Sequence, residues 1–304
     1  MIVCVAPNPS IDKLFEVERL EPGAIHRPTG FVQVPGGKGL NVARAAATLG
    51  ADVHVVALLG GHAGRWIADE LSALGIPLTT VWRSAETRSC LSVADADDPS
   101  LTEFYESGLS VSDDEWEDFV RTVGECAPSA AWTTVSGSLP RGAPADGYRQ
   151  LVTTATVAAD SAELGEARPA LVKVNAAEAQ ALTGSVSDDP VSALATAHAL
   201  RRRIGGDGHA AVVTRGGEGA VLVTPEGEEL RGALAAEGRY PVGSGDAFLA
   251  GLIVARYRGD SWTDALRAAL GAGAANAEIP GAGRLDRDRA GTLAGQARVV
   301  RIRV

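Results

Sequence analysis

The stretch "LNVARAAATLGADVHVVALLG", residues 40–60, decides the fold class. Its first half spaces small and apolar residues as a helix does and stops at Gly50, a residue suited to helix ends. Its second half, "VHVVALLG" (53–60), is a continuous β-branched and apolar run, the pattern of a strand buried on both faces. A helix passed straight to such a strand is the repeating unit of a parallel sheet. The same alternation extends in both directions. "IVCVA" (2–6) reads as a buried strand ended by the turn residues "PNPS". "GRWIADELSALG" (64–75) is a helix stopped by glycine, and "SDDEWEDFVRTV" (112–123) opens with Ser112 and Glu115 in capping-box spacing. "AWTTVSG" (131–137), "ALVKVN" (170–175), "AAVVTR" (210–215) and the closing "ARVVRIRV" are further strands, and 246–257 and 262–279 are long Ala-rich helices. The expected class is α/β: a mostly parallel sheet covered on both faces, with ligands beyond the carboxyl ends of its strands.

Four shorter runs depart from this pattern. "LFEV" (14–17), "FVQV" (31–34), "CLSVAD" (90–95) and "LTEFY" (101–105) alternate apolar with polar residues. They predict a second, small sheet with one wet face.

Composition narrows the function. The chain has 304 residues, 45% hydrophobic and 22% charged, with a net charge of −10. A nucleic-acid binder needs a basic footprint, so that class is set aside. Cys4, Cys90 and Cys126 are odd in number and form no CxxC pair, which predicts neither a disulfide framework nor a zinc site. The start lacks a basic leader and no run of about eighteen apolar residues occurs, so a cytoplasmic protein with no membrane partner is expected.

Four glycine-rich loops compete for a phosphate role. "PGGKGLN" (35–41) fails as a Walker A loop, with Val32 where its first glycine belongs and Gly39 where Ser or Thr belongs. "GAGAAN" (271–276) lies inside a helical pattern, so it predicts close helix packing. "TRGGEGA" (214–220) separates two apolar runs, as a hairpin turn does. "VGSGDAF" (242–248) opens a helix, where free N–H groups and the helix dipole attract an anion. Asp246 in that loop has two readings. One is an acid in a first helical turn, favoured by the dipole. The other is a base that takes a proton from a hydroxyl while neighbouring amides hold a moving phosphoryl group.

Several of these segments together resemble the ribokinase (PfkB) sugar kinases. "GGKGLNVARAAATLGADV" (36–53) is similar to that family's N-terminal signature and "VGSGDAF" to its C-terminal one. "VKVNAAEAQALTG" (172–184) resembles its Asn-x-x-Glu segment, and "VSGSLPRGAP" (135–144) and "VVTRGGEGAV" (212–221) match further stretches in order. The resemblance covers nearly the whole chain. It implies a ribokinase-like three-layer α/β/α sandwich over residues 1–304 as one domain, with a small β-sheet lid drawn from about 13–35 and 88–107. It implies Asp246 as catalytic base and Gly243, Ser244 and Gly245 as an anion hole. Asn175 and Glu178 would organise Mg²⁺ through water. Lys173 would lie by the phosphates of ATP, Thr214, Gly216, Gly217 and Gly219 would line the nucleotide, and Asn276 would lie toward its adenine end.

On the sugar side, Asp12, Gly37, Lys38 and Asn41 resemble acceptor contacts, and a carboxylate such as Asp12 can accept two hydroxyl hydrogen bonds. "ETRSCLSVADADDPSLTEFYESG" (86–108) resembles the lid hairpin of the branch that includes 1-phosphofructokinase and tagatose-6-phosphate kinase, with Arg88 as a planar fork for a phosphate or hydroxyl. The expected activity is ATP-dependent phosphorylation of a phosphorylated ketohexose. The alternatives are a kinase of a free sugar or nucleoside, and a catalytically silent binding protein of the same fold. Four features depart from the family: Val174 for a proline, Arg215 for a leucine, a short 155–170 region in which Asp160 can hold the strand-end acid, and an acidic lid turn, "DADDP". Lid strands have edges that need covering, so a homodimer through the lid is also expected.

Overall fold

The computed structural model describes every residue except 99, 100, 109, 153–155, 186, 188, 237, 303 and 304. Its strands are β1 (Ile2–Ala6), β2 (Ser10–Val17), β3 (Gly30–Gly36), β4 (Val53–Gly60), β5 (Leu78–Arg83), β6 (Arg88–Asp95), β7 (Leu101–Tyr105), β8 (Trp132–Ser136), β9 (Val157–Asp160), β10 (Leu171–Asn175), β11 (Ala210–Thr214), β12 (Ala220–Val223), β13 (Glu229–Ala233) and β14 (Arg298–Ile302). Its helices are α1 (Lys38–Thr48), α2 (Gly61–Ala73), α3 (Asp113–Cys126), α4 (Gly147–Leu151), α5 (Ala176–Thr183), α6 (Pro190–Ile204), α7 (Ser244–Tyr257), α8 (Trp262–Ala277) and α9 (Arg287–Gln296).

The large sheet has the order β14-β13-β12-β11-β10-β9-β8-β1-β4-β5. From β5 to β11 every pairing is parallel, and β12 to β14 close one edge antiparallel. Both faces are buried, as the unbroken apolar run of β4 requires. Ile2, Cys4 and Ala6 of β1 point into one core, and Val3 and Val5 point into the other. The capping box at Ser112 forms as its spacing predicts, with Ser112 and Glu115 bonding each other's backbone N–H groups.

Two expected features need qualification. The last two residues of "ARVVRIRV" lie outside the described residues. The helix expected over 64–75 starts earlier, at Gly61, with Gly60 as its N-cap. Strands β5 and β13 are not among the expected ones, and β9 ends in Asp160, the expected strand-end acid.

The small sheet has the order β3-β2-β6-β7, with β2 and β6 parallel and the outer pairs antiparallel. Register fixes which residues share a face, because side chains alternate along a strand. Asp12, Cys90 and Tyr105 lie on one line across the sheet and face the large domain. Phe31, Phe15, Leu91 and Phe104 belong to the opposite face. That outer face is therefore not simply wet: Phe31 and Phe104 are 57% and 58% exposed, and Phe15 packs against Phe31 with ring centroids 5.4 Å apart.

The "GAGAAN" stretch is helical packing, as its context predicts. It lies in α8, where a Cβ on Gly271 would fall 2.4 Å from the Ala290 carbonyl oxygen and 2.6 Å from the Ala294 nitrogen of α9. Backbone cannot yield as a flexible side chain does. Gly271→Ala is expected to destabilise the fold by about 1–3 kcal/mol, the usual cost of overpacking. A urea midpoint equal to that of the parent chain would show that α9 moves aside freely.

Candidate active site

Three adjacent parallel strands end in polar residues: β9 in Asp160, β10 in Asn175 and β11 in Thr214. They open on a cavity of about 700 Å³ that the small sheet bounds from the other side. Asp12, Gly37, Lys38, Asn41, Arg88, Lys173, Asn175, Glu178, Thr214, Gly216, Gly217, Gly219, Gly243, Ser244, Gly245 and Asp246 all line it.

Asp246 sits in the first turn of α7, with its side chain 5% exposed at the cavity wall. The turn is built for close approach. Gly243 caps the helix at φ 83°, a conformation that disfavours a side chain, and a Cβ there would lie 2.5 Å from the Gly283 nitrogen. A Cβ on Gly245 would lie 2.8 Å from Lys173 Nζ, so the bare backbone rests directly over an ammonium group. The N–H of Ser244 donates to the Pro241 carbonyl at 3.1 Å, and that of Asp246 to the Gly243 carbonyl at 3.1 Å. Of the three residues expected to form an anion hole, Gly243 and Gly245 thus keep N–H groups without a backbone acceptor among the described residues, while that of Ser244 is engaged.

Asn41 reaches across from α1 and donates from Nδ2 to Asp246 Oδ2 at 2.9 Å. Expected among the sugar contacts, it lines the cavity and also holds Asp246. Its Oδ1 accepts from Arg44 Nη2, also at 2.9 Å. Burial, and then the negative charge of Asp160, push the Asp246 carboxyl up to about 7, against the opposing pull of Lys38, Lys173 and the Asn41 bond.

Lys38 and Lys173 form one charge cluster around Asp160. Lys173 Nζ donates to Asp160 Oδ2 at 2.8 Å, and Lys38 Nζ donates to Asp160 Oδ1 at 3.0 Å and to Glu178 Oε1 at 2.5 Å. Burial disfavours the charge on Asp160, but the two ammonium groups outweigh it and hold its carboxyl below the ordinary range. For Lys38, burial is likewise outweighed, by Asp160, Asp246 and Glu178, and its pKa rises. Lys38, expected among the acceptor contacts, lines the cavity with its ammonium paired to Asp160 and Glu178. Asn175 and Glu178 cap α5 reciprocally, Asn175 Oδ1 accepting from the Glu178 N–H and Glu178 Oε2 from the Asn175 N–H.

Across the cavity, Asp12 is a strand residue of β2. Its Oδ1 accepts from Ser10 Oγ at 2.6 Å and its Oδ2 from the Gly37 N–H at 3.3 Å. Burial raises its pKa. Arg88 Nη1 donates to the Glu106 carbonyl at 3.1 Å and Nη2 to the Asn8 carbonyl at 3.3 Å. Thr214, Gly216, Gly217 and Gly219 lie in and after β11. They form the hairpin turn into β12 and also a wall of the cavity.

Asn276 is the clearest miss. It is fully buried in α8 and does not reach the cavity. Its Nδ2 donates to the Val242 carbonyl at 3.0 Å and to Ser244 Oγ at 3.3 Å, so it braces the loop before α7 from behind. Arg44 and Asp160 were the residues undervalued. Arg44 lies three positions after Asn41, on the same helical face, and an arginine inside a small, apolar helix was the available signal.

Among the described residues no helix is long and apolar enough to cross a membrane. The model of the pfkB family carbohydrate kinases matches residues 5–288. A 1-phosphofructokinase of Haloferax volcanii is 34% identical over 275 residues, spanning 88% of each chain. An ATP-dependent 6-phosphofructokinase isozyme 2 of Mycobacterium tuberculosis is 29% identical, over 94% of this chain and 87% of that one. The crystal structure of phosphofructokinase-2 from Escherichia coli in complex with potassium superposes with a TM-score of 0.87 at 25% identity, covering 97% of this chain and 98% of the other. The ribokinase-like fold, the cavity between its two sheets and this similarity agree: the chain belongs to the pfkB family of carbohydrate kinases, enzymes that transfer a phosphoryl group to a sugar hydroxyl.

Proposed function

We propose that the chain phosphorylates a hydroxyl of a phosphorylated ketohexose at the expense of ATP, giving a bisphosphate and ADP. The observation that carries this reading is a buried carboxylate, Asp246, sharing one helix start with the unengaged amides of Gly243 and Gly245. Asp246 takes the proton of the acceptor hydroxyl as its oxygen attacks the γ-phosphorus. The bond from that phosphorus to the β,γ-bridging oxygen breaks, and ADP leaves with the electron pair. The glycine amides and the Lys173 ammonium beneath them stabilise the equatorial charge. Most of the acceleration comes from positioning and electrostatics, as in phosphoryl transfer generally. Thr214 and the loop of Gly216, Gly217 and Gly219 are suited to the nucleotide, and Asp12 to the acceptor's hydroxyls. Closing the lid would exclude water that otherwise hydrolyses ATP.

Mg²⁺ is proposed with the nucleotide, near Asn175 and Glu178. Both Glu178 oxygens already accept hydrogen bonds, from Lys38 and from the Asn175 N–H. Among the described residues no group of three or more His, Cys, Asp or Glu could hold a metal ion. Such a pair fits an ion that keeps its waters and takes its direct ligands from phosphates. When bound, the ion supplies neutralisation of phosphate charge.

A second reading, a free-sugar kinase, has one observation in its favour. Both terminal nitrogens of Arg88 are engaged by backbone carbonyls, one of them that of Glu106, whose carboxylate accepts from the adjacent Ser89 N–H. Coupled ADP release across fructose 1-phosphate, fructose 6-phosphate, tagatose 6-phosphate, ribose and adenosine separates the two. Turnover is expected with a ketohexose phosphate. Turnover with free sugars alone removes the phosphosugar claim, and sugar binding without ADP release favours the silent binding protein. The exposed Phe31 and Phe104 of the lid's outer face support a homodimer formed through the lid, which light scattering of the intact protein checks.

A further inference from the structure

We infer that Arg44 is a positioning residue for the reaction: it dictates which end of the Asn41 carboxamide faces Asp246 and so holds the base in its proton-accepting form. The inference rests on Asp246 being that base.

A carboxamide has two ends of nearly equal shape and opposite polarity. A guanidinium can only donate. Because Arg44 Nη2 donates to Asn41, the amide oxygen must turn toward Arg44, and the NH₂ group is left to donate to Asp246 Oδ2. A donor facing a carboxylate favours its charged form. With the amide reversed, oxygen would face oxygen, and only the protonated acid could make the bond. The bond from Asn41 goes to Oδ2, and Oδ1 accepts no hydrogen bond among the described residues, so it is open to a proton.

Arg44 is itself fixed. Its Nη2 also donates to the Ala282 carbonyl, in the loop on which Gly243 rests: a Cβ on Gly243 would lie 2.7 Å from Ala282 Cα. The same loop abuts the base of the Asn41 side chain, since a Cβ on Gly283 would lie 2.7 Å from Asn41 Cα and 2.9 Å from its Cβ. One side chain thus ties the residue that holds the base to the floor of the anion-binding turn. Packing alone gives no reason for a guanidinium here. Arg44 is 5% exposed, its Nε has no partner among the described residues, and burial brings its pKa down to about 10. The other charged groups facing Asp246 are Asp160, Lys38 and Lys173, and those facing Arg44 are Asp12 and Arg284. None of these five is hydrogen-bonded to Asn41 among the described residues, so none can substitute in orienting it.

The test is the pH dependence of kcat/KM for the parent enzyme, R44M, R44K, N41A and the double variant R44M/N41A, with D246N as control. R44M is expected to move the acidic limb upward by about one pH unit, the worth of one hydrogen bond to a charged group. Its deficit would be about tenfold below the limb and close to within a few-fold above it. R44K, whose ammonium also only donates, is expected to hold the limb near its parent position. N41A should move the limb as R44M does, and the double variant should add nothing. A uniform loss at every pH with the limb unmoved, or additive shifts in the double variant, would overturn the proposal. Should R44M not fold, R44K and N41A decide, because a limb that moves equally in both contradicts it. Turnover retained by D246N would instead overturn the reading of Asp246 on which this rests.

Discussion

Asp246→Asn is expected to lower kcat at least about 10²-fold, the scale of a positioned general base, while nucleotide affinity stays within a few-fold. The amide can still accept the Asn41 hydrogen bond at 2.9 Å, so the local geometry survives. What goes is the ability to take a proton. Titration calorimetry with ATP separates this from a binding defect. The same substitution should raise stability in alkaline solution. The folded-state pKa of Asp246 is about 7 against an ordinary 3.8, so the folded protein holds a proton that the unfolded chain has released. Stability from this group therefore falls as pH rises from about 4 to about 7. Above 7 the parent protein carries the full cost of a buried charge and the variant does not. D246N should melt higher than the parent at pH 8, and the difference should shrink as pH drops through 7. Turnover within a few-fold of the parent would end the assignment. An equal melting difference at pH 5 and pH 8 would mean that the carboxylate is not destabilised by its surroundings.

That result depends on a place in the fold that is legible in the sequence. A helix opened by two glycines and an acid, after a turn, is a local pattern, and the first turn of α7 follows it. The parallel sheet was legible for the same reason: β4 is one unbroken apolar run and α1 ends where glycine ends it. The cavity face of the small sheet follows from its two-residue alternation. What was not legible is pairing over distance. Lys38 meets Asp160 across 122 positions and Asn41 meets Asp246 across 205. No period links such residues, so the partners of Lys38 and Asn41 inside the protein are invisible in the segment that carries them. Asn276 shows the converse error. A polar residue near a binding loop reads as a contact, yet the loop's own carbonyls at Tyr240 and Val242 needed a donor, and Asn276 supplies it from behind. The aromatic outer face of the lid escaped because Phe15, Phe31, Leu91 and Phe104 come from four separate strands and become neighbours only through register.

Lys173→Met is expected to be the most damaging single change to the fold, costing about 3–5 kcal/mol, because it leaves a buried carboxylate short of its partner. Asp160 is fully buried and Lys173 is 2% exposed, so water cannot replace the lost ammonium. Lys38 remains, but it is 30% exposed and shared with Glu178. The pH dependence identifies the cause. In the parent protein the Asp160 carboxyl lies below its ordinary 3.8, so its contribution is present above about pH 4 and is lost as pH falls through the depressed folded value. Without Lys173 that depression disappears and burial acts unopposed. The gap between variant and parent should thus be widest at neutral pH and narrow toward pH 4. Lys173→Met combined with Asp160→Asn should recover most of the loss, since removing both charges is far cheaper than stranding one. Activity should respond separately: Lys173 also opposes the upward shift of Asp246, so any K173M that folds should show its acidic limb moved to higher pH. A K173M protein that melts with the parent at pH 7 would mean that Lys38 alone satisfies Asp160. The two lysines would then be redundant as supports of the fold, and the place of Lys173 in the cavity lining would need another reason.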